Sequence, residues 1–233
     1  MHPRSAALLS AIALAAATAG TVSGLPLAAR ICKPLLMPIL VVWLRAAAPR
    51  GGSLVRLVTA ALVFSWLGDV FLMGSGEAWF GAGLGSFLVA QVVYAAAFLG
   101  PGRDPRPGRP WQALVLAAIV IAVGLVVART VLARVPAWLV IPVSCYAAAI
   151  TAMGTAAALR AGGTSLVSWG LVFAGAEWFM VSDSLLAVDR FVAPLGGARI
   201  GVMLTYCLGQ WLIVAGCLRH LRGRSRWPTP TSA

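Results

Sequence analysis

The chain has 233 residues, of which 61% are hydrophobic and 10% charged, and its mean hydropathy is +0.92. A soluble domain needs far more surface charge, so the repeated apolar stretches read as membrane spans, each needing about 20 residues. The net charge of +12 would suggest nucleic acid in a soluble chain. Here the arginines fall in loops, where they set topology and meet lipid headgroups, and no nucleic-acid partner is expected.

Taken in order, the first apolar run covers about Ala6 to Ser23 and can also be read as a signal peptide, with ATAG as a cleavage-like site. The second span, Arg30 to Leu44, opens with KPLLMP. Pro34 suits the first helical position, and Pro38 should loosen the helix one turn later. The third span is Leu54 to Met73 and the fourth Trp79 to Leu99, followed by the loop Gly100 to Pro110. The fifth, sixth, seventh and eighth spans are Trp111 to Ala128, Ala137 to Leu159, Leu166 to Val188 and Ile200 to Leu218. The fold class expected is thus an all-α membrane protein of about eight transmembrane helices in one bundle. Residues 1–220 form its transmembrane domain, and 221–233 form a polar tail.

With eight spans both ends lie on one side. Of the 18 basic residues, Arg30, Lys33, Arg129, Arg134, Arg190 and Arg199 fall on the opposite side and the other twelve on the terminal side. The positive-inside rule then puts both termini in the cytoplasm, with the protein in the cell membrane.

Two carboxylates stand out. Asp69 interrupts FSWLGDVFLMG, and Asp183 lies in FAGAEWFMVSDSLLA. A carboxylate at bilayer depth costs roughly 2.5–3.5 kcal/mol, so such residues face a protein interior and usually have a task. Lys33, Asp69 and Asp183 all fall within roughly 10 Å of the outer boundary at 1.5 Å per residue. As an acid/base pair, one carboxyl stays protonated while the other ionises. The plainer alternative is interhelical hydrogen bonding or a salt bridge to Lys33. Ser65 shares the Asp69 face. Gln91 and Tyr94 share a face of span four, and Tyr206 and Gln210 share a face of span eight. These line a pocket for a polar substrate group or tie helices together. Glu177, six residues before Asp183, should point elsewhere, as a third pocket wall or toward a neighbouring helix. LGDVFL and FLVAQ in spans three and four echo VSDSLL and YCLGQ in spans seven and eight. That suggests a 4+4 parallel pseudo-repeat matching Asp69 with Asp183 and Gln91 with Gln210. The two histidines, His2 and His220, are terminal, so no metal site is expected.

KPLLMP, SWLGDVFLM, FLVAQVVYAAAF, GAEWFMVSDSLLA and YCLGQWLIVAG occur in this order and together resemble the YhhN family, whose animal members include lysoplasmalogenase. The resemblance covers spans two to eight. It implies an eight-helix enzyme that hydrolyses the vinyl ether bond of lysoplasmalogens to a fatty aldehyde and glycerophospho-choline or -ethanolamine. Asp69 and Asp183 would be its catalytic aspartates, and Lys33 its basic residue at headgroup level. The chemistry needs no metal or cofactor. The partners implied are a lysophospholipid substrate and membrane lipids, with no obligatory protein partner. One departure is Gln91, where the family leads us to expect histidine. Gln transfers no proton at neutral pH, so activity then requires that this position only orient a headgroup or water. The alternative from the same buried carboxylates is a proton-coupled transporter or binding protein for a small lipid or metabolite.

Overall fold

A computed structural model describes residues 26–101 and 110–224. Among the described residues the regular structure is all helical, with seven α-helices: α1 (Pro26–Ala47), α2 (Gly52–Phe71), α3 (Glu77–Leu99), α4 (Pro110–Leu132), α5 (Val140–Ala158), α6 (Leu166–Phe191) and α7 (Ala198–Arg224). A 3₁₀ turn, Ala137–Leu139, leads into α5. Helices α2 to α7 are long and apolar enough to cross a membrane, and the fully described part of α1, Pro34–Ala47, is apolar as well. The seven helices correspond to spans two to eight. The first apolar run and the signal-peptide reading of it lie outside the described residues, as do most of the Gly100 to Pro110 loop and the tail beyond Arg224.

Several boundaries move outward. α1 starts at Pro26, so Pro34 and Pro38 are both interior rather than at the helix start. Pro26 itself takes the first position, where proline's missing N–H costs nothing. Interior prolines are tolerated in membrane helices because neighbouring groups satisfy the freed backbone. α6 continues to Phe191, past the expected end at Val188, placing Asp183 about two turns from its end. It begins with Ser165, whose side chain accepts the Ser168 N–H at 3.3 Å and satisfies one of the first-turn donors.

Which helix is central follows from composition. α4 reads LVLAAIVIAVGLVVA with hardly a polar break, and most of its surface faces outward, as a lipid-facing helix should. α7 is the most buried span and crosses α6 at very short range. A Cβ at Gly175 would stand 2.7 Å from the Gly209 carbonyl oxygen, and one at Gly209 would stand 2.8 Å from the Gly175 carbonyl oxygen. Membrane helices associate by such backbone contact, because lipid gives no hydrophobic drive between them. α2 and α3 form the next closest pair, with the Phe87 ring lying where a Cβ of Gly68 would be. The core is one continuous cluster drawn from all seven helices, α4 giving it only Val120, with a smaller cluster around Phe80, Val131, Leu139 and Val143.

Candidate active site

The first polar assembly is a two-rung ladder between α2 and α7. Ser65 and Asp69 are one turn apart on α2, and Tyr206 and Gln210 are one turn apart on α7, so each pair presents one face. The helices run antiparallel at this point. The Gln210 Nε2 donates to Ser65 Oγ at 3.0 Å, and the Tyr206 hydroxyl donates to Asp69 Oδ2 at 2.8 Å. From α3, the Tyr94 hydroxyl donates to Gln210 Oε1 at 2.5 Å. Every member is buried, and Asp69 is only 1% exposed. The ladder thus gathers Ser65, Asp69, Tyr94, Tyr206 and Gln210, five of the residues singled out in the sequence, from three helices.

The second assembly centres on Asp183. The Tyr146 hydroxyl of α5 donates to Asp183 Oδ2, and both residues are half-buried. Two cavities meet at this pair. One, of about 70 Å³, is lined by Leu72, Phe80, Leu84, Phe87, Arg190 and Phe191 together with Tyr146 and Asp183. The other, of about 120 Å³, lies between α4, α5 and α6 and is mostly apolar, with Thr151, Glu177 and Ser184 as polar exceptions. Val143, Tyr146, Asp183 and Ala187 line both. Glu177 thus stands on a further wall of the second cavity, one of the two places the sequence left open for it. The second cavity is wide enough to take in both faces of α6.

An aromatic layer separates the two assemblies. The Phe87 ring, which lines the first cavity, meets Phe179 at 6.2 Å and Tyr206 at 5.9 Å, both edge to face. Phe179 meets Tyr206 at 5.2 Å. Asp69 hangs behind this layer on the Tyr206 hydroxyl and is not part of either cavity's lining. Asp183 is the aspartate on the cavity wall.

Gln91 is fully buried, and its amide approaches the Tyr146 hydroxyl. Neither amide atom meets the geometry of a hydrogen bond, which is costly for a buried polar group. Gln91 and Gln210, matched by the pseudo-repeat, thus stand in different surroundings. The side chain of Lys33 lies outside the described residues. Among the described residues, no three His, Cys, Asp or Glu side chains gather as a metal-binding group.

Sequence reasoning missed Tyr146 and Arg190. The signal for Tyr146 was scarcity: the chain has three tyrosines, and each donates to a group in these assemblies. The signal for Arg190 was spacing, since it stands seven residues after Asp183 on the same face of α6.

Fold and site together define a multi-pass helical membrane protein with two hydroxyl-bound aspartates in its interior, one of them on a cavity wall. The chain belongs to the YhhN family, whose model matches residues 28–217. It is similar to lysoplasmalogenase TMEM86B of Mus musculus, at 35% identity over 190 residues covering 81% of this chain and 74% of that protein. The Homo sapiens TMEM86B lysoplasmalogenase is 33% identical over 189 residues, with 81% and 74% covered. A lysoplasmalogenase of Mycobacterium tuberculosis is 32% identical over 171 residues, covering 69% of this chain and 60% of that protein. No solved structure matches the chain.

Proposed function

We propose that this protein hydrolyses the vinyl ether bond of lysoplasmalogens in the cell membrane, releasing a fatty aldehyde and the glycerophospho-headgroup. The observation that carries the reading is the Tyr146–Asp183 pair on the wall common to two cavities. The family and the lysoplasmalogenases among its similar relatives support it. Each cavity is small beside a lysolipid, so the part that enters is the linkage. The alkenyl chain leaves along the apolar α4–α5–α6 side, and the headgroup along the other.

Asp183, in its protonated form, delivers a proton to the alkenyl carbon remote from the ether oxygen. The C=C electron pair forms the new C–H bond, and the positive charge settles on the oxygen-bearing carbon as an oxocarbenium ion. The resulting carboxylate stabilises that cation and takes a proton from water as the water adds. The hemiacetal then breaks its C–O bond to the glycerol, giving aldehyde and alcohol, with one water consumed. Tyr146 holds one carboxyl oxygen and so fixes the direction of the other. Gln91, with an amide beside the Tyr146 hydroxyl, orients the attacking water, a task that needs hydrogen bonds but no proton exchange. Asp69 is the second carboxylate. It holds Tyr206 and adds negative potential from behind the aromatic layer. Ser65, Tyr94 and Gln210 keep that layer in register. Lys33 meets the substrate at headgroup level.

The topology that goes with this reading has eight spans and cytoplasmic termini, supported by the distribution of the 18 basic residues. The tight pairs α2/α3 and α6/α7 would be equivalent pairs in the two four-span halves of the parallel duplication. The test is mass-spectrometric screening of the purified protein against lysolipids with vinyl ether, alkyl ether and ester linkages. Aldehyde from the vinyl ether alone is expected. Cleavage of the ester in preference would overturn the reading.

A further inference from the structure

The first cavity reaches from Asp183 to Arg190, seven residues further along α6 and about 10 Å along the helix axis. The Arg190 guanidinium lies 3.7 Å from the Phe80 ring centroid and 5.6 Å from that of Phe191. Its position over the Phe80 ring holds the guanidinium in place and leaves N–H groups available to an anion. At present the guanidinium meets Glu77, with Nη2 3.7 Å from Oε2 and side chains 38% and 62% exposed. An ion pair so long and so open contributes little and is easily exchanged. Its level in the membrane also fits. Glu77 is the first residue of α3, Arg190 is the last but one of α6, and the exposed Trp79 lies beside them. Tryptophan at a span end marks the headgroup region.

We infer that Arg190 binds the phosphate of the lysolipid, giving up Glu77 for it when the ether linkage reaches Asp183. This rests on the vinyl ether reading for the identity of the lipid, and it names a binding residue that the acid/base chemistry does not require. A guanidinium over the headgroup end of the cavity and a carboxyl at its inner end hold the two ends of one glycerol unit. The site therefore selects phospho-lysolipids over phosphate-free alkenyl glycerols. Glu77 competes with the phosphate for the same N–H groups, so the two members of the ion pair act in opposite directions.

The experiment measures binding of an uncleavable 1-alkyl-glycerophosphocholine and of the phosphate-free 1-alkylglycerol, by tryptophan fluorescence of the full chain in mixed micelles. Aldehyde release from the matching 1-alkenyl lipids is followed in parallel. Arg190→Gln should weaken binding of the phospholipid about tenfold or more and reduce its preference over the phosphate-free lipid by the same factor. Arg190→Lys should recover part of the loss. Glu77→Gln should tighten phospholipid binding. If both neutral variants shift both lipids in the same direction, the pair only braces α3 against α6 and the inference fails. Inorganic phosphate competing as well as the lipid would also overturn it, in favour of a simple anion site. The binding arm needs no turnover. A wild-type protein that releases no aldehyde would sink the vinyl ether reading, while the response of the two variants would still decide the role of Arg190.

Discussion

The Tyr206 hydroxyl donates to Asp69 Oδ2 at 2.8 Å, one helical turn from the bond between Gln210 and Ser65. This ladder joins α7 to α2 and closes the inner side of the aromatic layer. Hydrogen bonds to charged groups contribute about 1.5–3 kcal/mol, whereas neutral ones between membrane helices average roughly 0.6 kcal/mol. Tyr206→Phe should therefore lower the melting temperature of the detergent-purified protein clearly more than Ser65→Ala. Equal shifts would mean that the Asp69 rung has no special weight.

Gln91 carries the opposite signature. Its buried amide sits beside Tyr146 without a hydrogen bond of good geometry, and such a group costs about 1–3 kcal/mol. Gln91→Leu should raise the melting temperature and lower the turnover of a lysoplasmalogen. A residue that only ties helices together would show a fall in stability instead.

The α6–α7 crossing depends on two missing side chains. Gly175→Ala or Gly209→Ala forces a methyl group against backbone at under 3 Å, and overpacking of this kind costs roughly 1–3 kcal/mol. Gly170 is on α6 like Gly175, with nothing within 4 Å of an added Cβ. Gly170→Ala should be stabilising by roughly 0.5–1 kcal/mol through lost unfolded-state freedom. Thermal melts of the three variants test both signs together.

The orientation is tested by reporters. Fusions after Arg224 and in the loop 101–109 should respond as cytoplasmic, and one between α6 and α7 as external. The basic-residue distribution predicts this pattern, and the reverse pattern would invert the bundle.

Much of the helical layout was legible because apolar length alone dictates it, as in α3, expected at Trp79 to Leu99 and observed at Glu77–Leu99. Boundaries slipped where a helix outlasts its apolar stretch, as α7 does through His220 to Arg224. The faces of α2 and α7 were also legible, since Ser65 with Asp69, and Tyr206 with Gln210, follow the period of the helix, whereas on α3 Tyr94 joins the ladder and Gln91 meets Tyr146 instead. Partners across helices were not. Nothing in one sequence says that Tyr146 of α5 meets Asp183 of α6, or that Phe87 stands between Asp183's cavity and Asp69. Those pairings come from the packing of helices far apart in the chain. Charge counting treated Arg190 as a topology signal and so hid its place at the cavity.

The role of Asp69 separates from that of Asp183 by degree. Asp69→Asn keeps an acceptor for Tyr206 and leaves the cavity wall untouched, so it should lower aldehyde release only about tenfold, within what one hydrogen bond to a charged group contributes.

The central claim is that Asp183 delivers the proton. Its most direct test is aldehyde release from a lysoplasmalogen by the Asp183→Asn protein, compared with wild type at equal folded concentration. General acid catalysis contributes about 10²–10⁴-fold, and a loss of that size is the expected result. Aldehyde release at the wild-type rate from Asp183→Asn would contradict it.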